Sequence, residues 1–171
     1  FFRGSIIDSV TPGFDLPLPN IALVFFGAAI LAGFILSKTV LGRYIFAIGS
    51  NEEATRLSGV RAMRYKAAAY VLSGLFAGLA GVMLAARLNS GQPAEGFGME
   101  LDAIAAAVIG GTSLSGGEGS IFGTVIGAFI ISTLTNGLRL MSVPQEWQIT
   151  ITGIIVILAV YLDILRRRQN A

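Results

Sequence analysis

The sequence predicts an all-α fold, a polytopic transmembrane helical bundle, from three observations. Of its 171 residues, 54% are hydrophobic and 13% charged, with a mean hydropathy of +0.75; that is too little charge to cover a soluble surface. The apolar residues lie in long runs instead of at one-face spacing, as in helices that meet lipid on one side and protein on the other. The basic residues fall between those runs and at the C-terminus, where membrane topology accounts for them.

About five spans are expected. The first covers about 20–37, led by Pro17 and Pro19, where proline is tolerated at a helix start. The second covers about 67–86. Segment 101–115 begins with the apolar run LDAIAAAVIGG, too short to cross alone, and breaks in the glycine-rich stretch Gly110–Ser120. Two further spans cover about 121–140 and 148–165, the last closed by Arg166, Arg167 and Arg168. The chain reads as a single transmembrane domain with a loop at 38–66. It opens on Phe1 without a signal-peptide pattern, which reads as the C-terminal portion of a longer polypeptide.

Composition removes several function classes. With no Cys and no His, thiol chemistry, imidazole bases and the usual zinc sites are absent, so neither a catalytic residue nor a metal site is expected. The net charge of +2 reflects topology, and no nucleic-acid partner is expected. Lys38, Arg43, Arg56, Arg61, Arg64 and Lys66 lie between the first two spans. With the three terminal arginines, nine of the twelve basic residues occupy two regions. The positive-inside rule makes both cytoplasmic and turns 1–17, 87–100 and 142–147 outward. Both regions lie inside only if the short segment also carries the chain across, as a helix that breaks at the glycines.

Broken helices at membrane depth are tolerated where protein or a water path surrounds them. Residues 101–119 are therefore a candidate path lining, and a plain re-entrant packing segment is the other reading. Gly74 with Gly78, Ala77 with Gly81 and Gly123 with Gly127 set small residues at the spacing of close helix packing, within the chain more often than between subunits.

Between the first two spans, Gly49-Ser50-Asn51-Glu52-Glu53-Ala54-Thr55-Arg56-Leu57-Ser58-Gly59-Val60 reads as one short helix. Ser50 with Glu53 makes a capping-box pattern and Gly59 a left-handed stop. A helix of roughly eight residues, about 12 Å long, is unstable alone. Its small apolar side, Ala54 and Leu57, must rest either on its own protein or in a cleft of a cytoplasmic partner. The residues alone leave both open.

Segments 42–60 (GRYIFAIGSNEEATRLSGV) and 101–123 (LDAIAAAVIGGTSLSGGEGSIFG), and span 121–140 with Asn136-Gly137, closely resemble the permease subunits of bacterial ABC importers for sugars of the ribose, xylose and arabinose type. The resemblance runs from about residue 20 to 165. It implies that the short helix is a coupling helix seated in a separate ATP-binding subunit. Glu53, Ala54 and Gly59 match the first, second and seventh positions of the E-A-A-x-x-x-G pattern, and Thr55 departs at the third. Asn51, Glu52, Glu53 and Arg56 are then expected to face polar groups of the cleft, with Ala54 and Leu57 as apolar contacts and Gly59 as the turn back. The resemblance also implies a multi-pass protein of the bacterial cytoplasmic membrane with its C-terminus inside. It implies three partners besides lipid: the ATP-binding subunit, a second permease copy in a homodimer, and a periplasmic or extracellular sugar-binding protein. No cofactor is expected, since ATP is used by the partner. The stretch Gly110–Ser120 lacks the Lys that a phosphate loop needs, because no Lys follows Lys66.

Proton coupling is disfavoured, because a charge at a span centre costs about 2.5–3.5 kcal/mol or more and Asp102, Arg139 and Asp163 fall near span ends. An intramembrane aspartyl protease would need a facing Asp pair, and Asp102 and Asp163 lack its sequence context. Importers of branched-chain amino acids or nucleosides remain an alternative within transport, and a scaffold subunit would lack the docking helix and the broken segment. For the path, Thr112, Ser113 and Ser115 are expected near the inner mouth and Thr133, Thr135 and Asn136 in the span. Such hydroxyls can also bond their own helix backbone.

Overall fold

A computed structural model describes residues 20–88, 91 and 96–170. Among them every regular element is a helix: α1 (Asn20–Lys38), α2 (Val40–Ser50), α3 (Glu52–Leu57), α4 (Ala62–Leu88), α5 (Met99–Ile109), α6 (Ile121–Leu140) and α7 (Gln145–Asn170). Segment 1–17, Pro17, Pro19 and the side chains of Asp163 and Arg166–Arg168 lie outside the described residues.

By length and composition α1, α4 and α6 can each cross a bilayer, and the chain is an all-α helical membrane bundle. In α7 the stretch Gln145–Tyr161 is a shorter apolar helical segment. At 11 residues, α5 reaches only about 16 Å of a core ~30 Å thick.

The loop expected at 38–66 contains a further helix, α2, which the sequence reading did not anticipate. Thr39 separates it from α1: its hydroxyl accepts from the Gly42 amide at 3.3 Å and donates to the Ile35 carbonyl at 2.5 Å. A Cβ on Gly42 would run into the Leu36 backbone, so the bend at Thr39 requires glycine there. The capping pattern is Thr-x-x-Gly, without the Glu or Gln that marks a capping box.

α5, α6 and α7 pack around Ala105, Ala106 and Ile131, flanked by Ile109, Ala128, Ile155 and Val156. The α5–α6 crossing is backbone against backbone. A Cβ on Gly123 would strike the Gly110 carbonyl, and one on Gly127 the Ala106 carbonyl. The Gly123/Gly127 stripe is thus a packing face within the chain, as small-residue stripes in membrane helices commonly are. The stripe on α4 differs: Gly74, Gly78 and Gly81 meet nothing within 4 Å among the described residues.

Two αL residues close the α5–α6 pair. α5 ends on Gly111 (φ +86), with Thr112 N–H donating to Ala107 and Gly111 N–H to Val108. α6 ends in the same manner on Ser142 (φ 58), with Val143 N–H donating to Leu138 and Ser142 N–H to Arg139. Serine pays a steric cost in this region that glycine does not. Ser142→Gly is therefore expected to stabilise the protein by about 1 kcal/mol, read as a higher thermal midpoint in detergent. An unchanged or lower midpoint would show that the serine side chain compensates for its backbone.

Candidate functional site

The 49–60 segment forms a helix with a boundary different from the expected one. Ser50 does not cap it; Ser50 closes α2, and Asn51 makes the turn. The Asn51 amide donates to the Ala47 carbonyl at 3.0 Å to finish α2, and its side-chain oxygen accepts from the Ala54 amide at 2.9 Å to start α3. Asn caps as well as Ser does, so one extended residue serves both helices. α3 is accordingly six residues long, about 9 Å, shorter than the eight expected.

Its C-terminus is a Schellman turn: Gly59 sits at φ +83, Val60 N–H donates to Thr55 and Gly59 N–H to Arg56. Lys66 on α4 and Glu52 form an ion pair at 2.5 Å, both partly exposed. Pairs of this kind add little stability; this one links the first residue of α3 to α4. Tyr44 and Tyr65, with ring centroids 4.7 Å apart, hold α2 to α4 behind it.

The face α3 turns inward carries neither Ala54 nor Leu57. Thr55 alone in the helix is buried, its hydroxyl returned to the Asn51 carbonyl at 2.8 Å. Leu57 is 84% exposed, and Asn51, Glu52, Glu53, Ala54, Arg56 and Gly59 are exposed around it. The departure at Thr55 from the importer pattern therefore falls on the inward face. Sequence reasoning missed Thr55 as the anchor because it sought the resting side among the apolar residues, Ala54 and Leu57.

Behind α3, the end of α2 abuts the loop that terminates α5. A Cβ on Gly49 would lie 2.6 Å from the Gly117 amide nitrogen, and one on Gly116 2.7 Å from the Gly49 carbonyl oxygen. Gly116 and Gly117 both adopt positive φ (+86° and +82°). The exposed helix is thus joined, through one extended residue and a backbone-on-backbone contact, to the broken segment. Nothing in the sequence pairs Gly49 with Gly116 and Gly117, which lie far along the chain.

The six polar path candidates separate. Thr112 faces Thr124 across the α5–α6 turn, hydroxyl to hydroxyl at 3.4 Å. Ser113 is buried; its amide donates to the Glu118 carbonyl at 3.1 Å and its Oγ accepts from the Ser115 amide at 3.3 Å. These groups hold the glycine loop in shape. On α6, Thr135 follows Gly127 and Ile131 at four-residue steps and so faces α5 and α7, whereas Thr133 and Asn136 lie on an exposed face. Thr135 lines a cavity at the end of α6 opposite the glycine loop, together with Asp102 and Arg139. Among the described residues no group of His, Cys, Asp and Glu could hold a metal ion.

These features define the class: a polytopic helical membrane protein with an interrupted interior helix and an exposed helix at one end. A model of the family described as branched-chain amino acid transport system / permease component matches residues 1–160, and the chain belongs to that family. Among curated proteins it is similar to the ribose import permease protein RbsC of Bacillus subtilis (strain 168), 49% identical over 156 residues, covering 91% of this chain and 47% of the relative. RbsC of Escherichia coli (strain K12) is 48% identical over 151 residues, with 88% and 46% covered. The xylose transport system permease protein XylH of the same strain is 45% identical over 158 residues, with 92% and 39% covered. The chain thus spans less than half the length of these relatives. No solved structure matches it.

Proposed function

We propose that this chain is permease machinery of an ATP-driven importer that moves a monosaccharide, a pentose or hexose, across the bacterial cytoplasmic membrane. α3 is its coupling helix, and α3 and the C-terminus face the cytoplasm. The partners are a separate ATP-binding subunit, a second permease copy and an external sugar-binding protein. The ribose and xylose permeases among its relatives support the substrate class over branched-chain amino acids.

The observation that carries the reading is the build of α3. A six-residue helix, capped at both ends and tied to α4, turns a bare leucine outward and lies one residue from the α2 contact with the broken segment. An apolar side chain 84% exposed at a helix tip, ringed by charges, suits a cleft that buries it. Glu53 and Arg56 beside it can select the partner by charge.

A crosslinking scan tests this. The chain contains no Cys, so single cysteines from Ser50 to Gly59 can be tested against cysteines in the ATP-binding subunit in membranes. Glu53, Arg56 and Leu57 are expected to crosslink in a nucleotide-sensitive manner, and Thr55, which faces inward, is not. Absence of crosslinks along the whole segment would remove the coupling assignment. Crosslinks at Thr55 as strong as at Leu57 would remove the inward register.

A further inference from the structure

At the end of α6 away from the coupling helix, a cavity of about 500 Å³ opens between the start of α5, the end of α6 and the start of α7. This volume lies within the ~300–1,000 Å³ of small-molecule sites. Six of the side chains around it are polar: Asp102, Thr135, Arg139, Gln145, Gln148 and Thr152.

Their arrangement leaves hydrogen-bonding capacity unspent. The Arg139 charge acts on Asp102, yet no ion pair joins them. Gln148 donates its side-chain amide to the Val143 carbonyl at 2.7 Å, which fixes the group and leaves its oxygen as an acceptor. Thr152 is 5% exposed, and its hydroxyl makes no hydrogen bond among the described residues. On the same helix Thr150 returns its hydroxyl to the carbonyl four residues back, at 2.8 Å, the ordinary solution for a helical threonine. A buried hydroxyl without a partner is disfavoured unless something else supplies one.

We propose that this cavity is a receiving site for a neutral polyhydroxylated molecule, a monosaccharide, at the outer end of the translocation path. The proposal rests on the importer reading above, which supplies the outward orientation. A sugar's hydroxyls each donate and accept, and the lining offers an acceptor-only carboxylate, a donor-only guanidinium, and amides and hydroxyls that do both. A lone anion meets Asp102 and a lone cation meets Arg139. A branched-chain amino acid could pair its two charges with Arg139 and Asp102 and rest its side chain on Phe97, Met99, Leu101 or Ile149 of the same lining, but it would leave the Thr152 hydroxyl and the Gln145 and Gln148 amides without the partners that a sugar's hydroxyls supply.

Two measurements in the assembled transporter test the site. In proteoliposomes with the ATP-binding subunit and sugar-binding protein, Asp102→Asn and the near-isosteric Thr152→Val are each expected to reduce ribose moved per ATP hydrolysed at least tenfold. An unchanged ratio overturns the proposal, whether both rates persist or fall together, since the residues would then serve only the fold. In right-side-out vesicles, Gln145→Cys is expected to react with an impermeant maleimide at least threefold more slowly in 100 mM ribose or xylose, and at an unchanged rate in 100 mM L-leucine. Protection by leucine alone, or by none of the three, overturns the sugar site. Failure of the wild-type transporter to move any of a panel of pentoses and hexoses that includes ribose and xylose would instead overturn the importer reading, and the labelling result would still decide what the cavity accepts.

Discussion

If the chain is the importer permease proposed above, Gly49→Ala is expected to lower ATP-driven sugar uptake at least tenfold while the protein still inserts and still binds the ATP-binding subunit. The new Cβ would stand 2.6 Å from the Gly117 amide nitrogen, a distance real side chains do not tolerate, and its neighbours there are backbone that cannot rotate away. The end of α2 and the glycine loop would have to separate by close to an ångström. Coupling between sites is carried by packed elements with discrete arrangements, and on the proposed reading this contact, where the end of α2 one residue from α3 meets the glycine loop, is where motion passes on. α3 itself is untouched, because its cap at Asn51 and its Schellman turn lie beyond the substitution. ATP hydrolysis should therefore continue with little transport. Gly117→Ala, strained at φ +82 and 3.0 Å from the Ser50 Cα, is expected to act alike. Uptake at the wild-type rate in both variants would show that motion reaches α5 by another route.

Gly127→Val should be strongly destabilising, by about 3 kcal/mol or more, the upper range for overpacking a tight interior. The first carbon added at Gly127 already overlaps the Ala106 carbonyl oxygen, and Ala105 and Ala106 at the same crossing are buried. Two helices in backbone contact relieve that overlap only by moving apart, which empties the Ile131 cluster of its neighbours. The readout is loss of monodisperse protein in detergent or a sharp fall in thermal midpoint. Gly78→Val, on a face that meets nothing within 4 Å in this chain, is the matched comparison, and equal losses at both positions would mean that the α4 stripe is equally closely packed in the assembled membrane protein.

Much of the fold was legible because it is written locally. The length and apolarity of 20–37 and 121–140 are properties of contiguous residues, and the helices there coincide with the runs. Gly59 and the break after Ile109 were legible for the same reason, since a left-handed turn favours glycine. α2 was missed because Thr39 caps it without a partner acid, and its apolar residues look like loop hydrophobes until α4 is placed beside them. The capping residue of α3 was misplaced by one position because Ser50 and Asn51 are equally good caps; the choice depends on where α2 ends, which Asn51 itself decides.

By itself the sequence determined that this protein is an all-α membrane bundle, where its long helices run, and that a short capped helix stands between the first two spans. Those are consequences of hydropathy, helix length and turn stereochemistry, each a function of neighbours along the chain. The tertiary structure decided which residue of α3 points inward, which glycine stripe is filled and which is open, and that Gly49 bears on Gly116 and Gly117. It also gathered Asp102, Thr135, Arg139 and Thr152, scattered over fifty positions, around one cavity. Small and polar residues score alike in any linear reading; packing distinguishes them, because only a neighbouring backbone makes a missing Cβ necessary and only a shared cavity leaves a buried hydroxyl in want of a partner.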